Sequence, residues 1–149
     1  MKRFSKLFLI PIVLIAFLPA ISNAQCKTFA KNICKPDLNP YIHDGNYNAA
    51  ILTEGEEAEL YKTFYSGQVY RICICGSDAL PNVKFRVIDS DANVIYDNSK
   101  DGDAQVWDFK TESSQQLKIH ITVPSSGKKQ TDIKSGCVAI MFGFKDEGF

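Results

Sequence analysis

No excess of charge of either sign exists in this chain: 17 Lys and Arg stand against 17 Asp and Glu over 149 residues. A nucleic-acid binder usually carries a basic excess or a basic stripe, so the balance argues against one. Histidine is scarce. His43 and His120 are the only two, whereas a zinc site normally takes three or four ligands. The same scarcity limits Cys-His and Ser-His catalysis. The chain also lacks a P-loop, a dinucleotide fingerprint, an HExxH helix and a nucleophile elbow. It has no internal repeat and no low-complexity tract. What it does have is core material, 45% hydrophobic and 11% aromatic residues, in a length that favours one domain.

The first segment reads as a targeting signal. Lys2, Arg3 and Lys6 make a basic start, and Leu7 to Leu18 is apolar apart from Pro11. Ser22-Asn23-Ala24 then places small residues three and one before a cut between Ala24 and Gln25. A membrane span needs roughly 20 apolar residues, and Pro11 and Pro19 bracket fewer. The expected organisation is a signal peptide over 1–24, an N-terminal helix and linking loop over 25–46, and a sandwich domain over 47–149. The mature chain is expected to be secreted or periplasmic, with no membrane span. It carries 14 basic against 17 acidic residues.

All five cysteines, Cys26, Cys34, Cys73, Cys75 and Cys137, follow the cut. An oxidising compartment favours disulfides, and an odd count leaves one thiol over. Cys26, Phe29, Ala30, Ile33 and Cys34 share one face of a short helix stopped by Pro36. On a helix, Cys26 and Cys34 lie about 12 Å apart along the axis, beyond the Cα separation of about 4.4–6.8 Å that a bridge tolerates. Cys73 and Cys75 sit two apart on a strand with parallel side chains, about 6.6 Å between Cα atoms. The expected bridges therefore join the N-terminal segment to the sheet, or strand to strand. Cys75 and Cys137, beside Gly76 and Gly136, are the strand-end candidates. If the segment is not helical, Cys26–Cys34 becomes an easy local bridge. A redox role for Cys73-Ile74-Cys75 would want a helix N-terminus or nearby cations; the strand flanks favour a structural role.

Beyond the loop Asp37–Asn46, with its Pro40, Asp44 and Gly45, the chain reads as about eight short strands: Asn48–Thr53, Glu57–Tyr65, Gln68–Cys75, Asn82–Asp89, Asn93–Asn98, Gln105–Lys110, Gln115–Val123 and Gly136–Lys145. Most alternate apolar with polar residues, most clearly Leu117, Ile119, Ile121 and Val123 against Lys118, His120 and Thr122. Gly136–Lys145 is apolar on both faces, the mark of a central strand. Short strands separated by turn signals indicate a sandwich or barrel, because two apolar faces must meet to leave water.

The turn Ser66-Gly67-Gln68-Val69-Tyr70-Arg71-Ile72, followed by the hairpin Phe85-Arg86-Val87-Ile88-Asp89-Ser90-Asp91-Ala92-Asn93-Val94-Ile95, resembles the bacterial pre-peptidase C-terminal domain. The hairpin has Ala92-Asn93 where that family often has a glycine. The resemblance implies a jelly-roll-like antiparallel sandwich that stabilises, displays or binds, without catalysis.

Three groups are candidate sites. Asp89, Asp91 and Asn93 place oxygen ligands at alternate positions, as calcium requires; a plain turn uses the same residues, because Asp and Asn bond their own backbone. Trp107, Phe109, Tyr61, Tyr65 and Tyr96 could form a platform for a carbohydrate or a protein, or fill the core. Glu54, Glu56, Glu57 and Glu59 offer paired carboxylates for a glycosidase, or a solvated strand edge. The reading is an exported, non-catalytic sandwich with a binding or structural role, needing no cofactor other than a candidate calcium. The alternative is a secreted enzyme or thiol-redox protein using Cys73 and Cys75.

Overall fold

The computed structural model describes residues 23–146, so the basic start and apolar run of the expected signal peptide lie outside the described residues. Nine strands follow a helical segment: β1 (Ile42–His43), β2 (Asn48–Thr53), β3 (Glu57–Phe64), β4 (Gln68–Gly76), β5 (Lys84–Ile88), β6 (Val94–Asp97), β7 (Val106–Lys110), β8 (Gln115–Thr122) and β9 (Ser135–Asp146). They form two antiparallel sheets. One is ordered β1-β9-β4-β7, with β2 also paired to β9; the other is ordered β3-β8-β5-β6. From β2 onward every connection except the β5–β6 hairpin passes from one sheet to the other. The expected mainly-β sandwich is what the chain forms. The extra strand, β1, lies in the stretch read as loop and pairs Ile42 with Phe144 and His43 with Gly143.

The period of two sorts the residues. On the inner faces Tyr70, Ile72 and Ile74 of β4 and Val138, Ile140 and Phe142 of β9 meet Leu117, Ile119 and Ile121 of β8 and Phe85 and Val87 of β5. The opposite face of β4 and β9 is also buried. Cys73, Ala139 and Met141 pack there against Ala30, Cys34 and Leu38 of the helical segment. That second layer explains why β9 is apolar on both faces.

The segment starts as α1 (Asn23–Phe29), widens into a π turn over Ala30–Cys34 and tightens into a 3-10 turn over Lys35–Leu38. Pro36 therefore does not stop it. A proline sits without cost in the first turn of a helical piece, where its missing N–H has no partner to lose. The wide turn changes the phase. Lys35 N–H bonds the Ala30 carbonyl, five residues back, so Cys26, Ala30, Cys34 and Leu38 form the buried row at intervals of four. Ile33, expected on that face, is turned outward and is 58% exposed.

One disulfide, Cys26–Cys137, ties the segment to β9 across a Cα separation of 5.2 Å and 111 residues of sequence. Cys34 and Cys75, both candidates for bridges, are free, as is Cys73. The pairing expected between the N-terminal segment and the sheet is thus formed by Cys26, and Cys26–Cys34 is not formed.

Arg71 seats the rest of the segment. Its Nε and Nη2 donate to Asp108 at 2.7 Å each, and its Nη1 donates to the carbonyls of Asp37 and Asn39 at 3.1 and 2.9 Å. The Tyr41 ring covers the guanidinium at 4.5 Å. The fork geometry of arginine suits this, two donors on a carboxylate and one shared by two carbonyls. Gly143 permits the close approach: a Cβ there would lie 2.6 Å from that of Tyr41.

Candidate functional site

The five aromatic candidates separate into two groups. Tyr96, at the edge of one sheet, and Trp107 and Phe109, at the edge of the other, stack across the side of the sandwich. Trp107 lies 4.6 Å from Tyr96 and 4.4 Å from Phe109, with interplanar angles of 16° and 11°. Phe109 continues the stack to Tyr70 at 5.7 Å. Both faces of the indole are therefore covered. A sugar platform needs an open ring face, and this stack presents edges while packing on the core. The Tyr96 hydroxyl donates to Asp101 at 2.8 Å, and burial, with that carboxylate, pushes its pKa up.

Tyr61 and Tyr65 are different. They lie on and just past the edge strand β3 and are 58% and 62% exposed. Tyr65 borders a cleft of about 170 Å3 with Lys62, Gln68, Tyr70, Phe142 and Phe144. Lys62 bridges Asp44 there at 2.7 Å, and its ammonium lies 4.8 Å from the centre of the Phe142 ring. A second, apolar groove of about 270 Å3 runs between β2 and β3, lined by Ala49, Leu52, Ala58 and Leu60. Sequence reasoning placed the two tyrosines but missed the clefts. These join residues from both sheets, and period-two patterning says nothing of which edges adjoin.

Asp89 caps its own hairpin. Its Oδ1 accepts from the backbone N–H groups of Asp91 and Asn93 at 2.9 and 2.8 Å, and its Oδ2 accepts from the Asn93 side chain at 3.0 Å. These bonds hold its pKa below the usual carboxylate value, the Asn93 side chain contributing most. Ala92, where the resemblance has glycine, takes a φ of 66°, the left-handed region that glycine enters freely. With both Asp89 oxygens occupied by loop donors, millimolar calcium should leave the melting temperature unchanged. A ligand at 100 times its Kd adds about 2.7 kcal/mol, so a rise of several degrees in a thermal melt would make calcium a ligand of this loop.

The acidic residues are each paired separately. Glu54 accepts from Ser126, Glu56 from the Thr53 N–H, and Glu59 from Lys118. Lys118 holds the Glu59 carboxyl below its usual pKa. Glu57 faces His120 at 3.3 Å. His120 lies on the outward face of β8, as its phase predicts, yet is buried between neighbouring strands. Arg86 faces its Nδ1 at 3.2 Å. Arginine only donates, so Nδ1 accepts and Nε2–H points to Glu57. His43 contacts the Asn46 carbonyl and packs its ring against Tyr47 at a tilt of 52°.

Cys73 and Cys75 lie with their sulfurs 3.7 Å apart. The Cys73 pKa is pushed far up, first by its bond to Cys75 and then by burial, and that of Cys75 first by its bond to Cys34. Arg71, a cation near Cys73, is engaged with Asp108. A redox dithiol requires stabilised thiolate, and this environment does the reverse.

These features define the chain as a two-sheet antiparallel sandwich with an N-terminal helical segment packed on one outer face. No family model matches it, and no curated protein matches it in sequence. Among solved structures it is similar to PliG of Aeromonas hydrophila, a periplasmic lysozyme inhibitor of g-type lysozyme, with a TM-score of 0.51 and 16% identity. The match covers 71% of this chain and 89% of that one, and it is a likeness of fold.

Proposed function

We propose that this is an exported, non-catalytic binding protein and that its partner is another protein. The observation that carries the reading is the fold shared with a periplasmic inhibitor of a lysozyme. The Cys26–Cys137 bridge supports it, because disulfides persist in oxidising compartments and are rare in cytosolic proteins. Among the described residues no helix is long and apolar enough to cross a membrane. The exposed Tyr61 and Tyr65 supply what an interface uses. Tyrosine brings large contact area with a polar tip, and it recurs among residues that dominate binding energy.

The first partner to test is a g-type lysozyme. The mature protein should slow lysis of cell-wall substrate and bind the enzyme with a Kd of about 1 μM or tighter. Tyr65→Ala should weaken binding by about tenfold or more, equivalent to about 1.4 kcal/mol. Unchanged lysis together with no binding by calorimetry refutes the lysozyme reading.

A further inference from the structure

Beneath the helical segment lies a group of side chains that the binding reading does not use. Cys34, Cys73 and Cys75 are free thiols, Cys34 and Cys73 fully buried. The Cys73 sulfur is 3.7 Å from that of Cys75 and 4.0 Å from Oδ2 of Asp37. The ligand atoms of Asp37, Cys73 and Cys75 all lie within 4.8 Å of one another, and Cys34 packs in the same buried cluster, its carbonyl 4.0 Å from the Cys73 sulfur. Zinc–sulfur bonds of about 2.3 Å at tetrahedral angles put two bound sulfurs about 3.8 Å apart. The Cys73–Cys75 spacing meets that edge length.

The geometry points to a metal site in which Asp37, Cys73 and Cys75 hold a thiophilic divalent cation, zinc foremost, with the thiol of Cys34, packed beside them, as the fourth ligand. Soft sulfur donors select zinc over calcium or magnesium. Two ligands come from the rigid strand β4. The other two come from the helical segment, which the Cys26–Cys137 bridge and the Arg71 bonds to Asp37 and Asn39 already hold against the sheet.

The electrostatics agree. Without a cation, the contact with Cys75 and then burial oppose ionisation of Cys73, and the contact with Cys34 is the first to oppose that of Cys75. A bound cation inverts that logic and deprotonates the coordinating thiols. Each S–H bond that breaks releases its proton to solvent as a sulfur–metal bond forms, and no electron changes hands. Affinity should therefore fall with acidification. A disulfide would use only two of the three sulfurs and would compete with the cation.

The test uses the mature protein with its Cys26–Cys137 bridge intact. Cobalt(II) is titrated as a spectroscopic stand-in for zinc under anaerobic conditions. The expected result is one equivalent bound, with thiolate-to-cobalt charge-transfer bands and the visible bands of a tetrahedral ion. Zinc should displace the cobalt, and equimolar zinc should protect all three thiols from a thiol reagent; calcium should do neither. Asp37→Asn, at an exposed position, should weaken zinc by at least the roughly 10–100-fold that loss of an outer-shell partner costs a metal site, with the far-ultraviolet spectrum unchanged. Cys75→Ser should weaken it more. Absence of both the cobalt spectrum and the thiol protection overturns the proposal. So does a non-reducing peptide map of the exported protein that joins Cys34 to Cys73 or Cys75.

Discussion

Replacing Cys137 with serine should lower the stability of the fold by about 4–5 kcal/mol, the loss that the chain-entropy model assigns to a loop of about 100 residues. The bridge spans 111 residues, from α1 to β9, so nearly the whole fold lies inside the loop. Without it the unfolded chain regains the freedom to separate its ends, and folding must again close that loop. Cys26→Ser should cost about the same, and the double variant little more, because either single change already breaks the bridge. Urea denaturation followed by fluorescence of Trp107 measures all three. A loss below about 1 kcal/mol in the single variants would show that the bridge hardly restrains the unfolded chain. The helical segment should also lose protection from hydrogen exchange, most of all around Cys26, since it is then held by packing on Cys73, Ala139 and Met141 and by the Arg71 bonds to Asp37 and Asn39.

The second large effect is expected at Phe64→Ala, about 3–5 kcal/mol. Phe64 ends β3 and is fully buried. Its ring meets Tyr70 at 4.9 Å, Phe109 at 5.1 Å and Phe142 at 5.9 Å, all edge to face. Those partners belong to β4, β7 and β9, the other sheet, so this one side chain joins the two layers. Truncation loses the transfer energy of the ring and leaves a cavity lined by the Tyr70, Phe109 and Phe142 rings, whose strands hold them back from filling it. Tyr61→Ala, three residues earlier on the same strand, is the control. Its side chain is 58% exposed, and surface changes of that kind usually stay within about 0.5 kcal/mol. If the two variants melt together, Phe64 does not join the sheets as described. Near-ultraviolet circular dichroism should change in Phe64→Ala, because Phe109 touches both Phe64 and Trp107.

The contrast between Phe64 and Tyr61 was legible in the sequence. Along Glu57–Phe64 the alternation puts Ala58, Leu60 and Phe64 on one face and Tyr61 on the other, and the burial follows it. The two faces of β9 and the self-capped turn at Asp89 were legible in the same way. The candidate site was legible in part. Tyr61 and Tyr65 are exposed, whereas Trp107, Phe109 and Tyr96 close the side of the sandwich. That stack needs β6 beside β7, two edge strands of different sheets, and strand spacing within one segment carries no record of it.

What the sequence determined by itself was local: the strands from Asn48 onward, the faces their alternation gives, where turns fall, and that Cys26 and Cys34 are too far apart on a helix to bridge. Alternation and helical phase follow from backbone geometry within a few residues, so they can be read from order alone. The tertiary structure decided the rest. It chose Cys137 as the partner of Cys26, gathered Cys34, Cys73, Cys75 and Asp37 into one cluster, and turned Ile33 to solvent through a π turn. Each of these depends on which strands lie side by side and how the helical segment seats on them. Those pairings join residues far apart in the chain, and only the shared burial of two sheets and a helical layer selects among them.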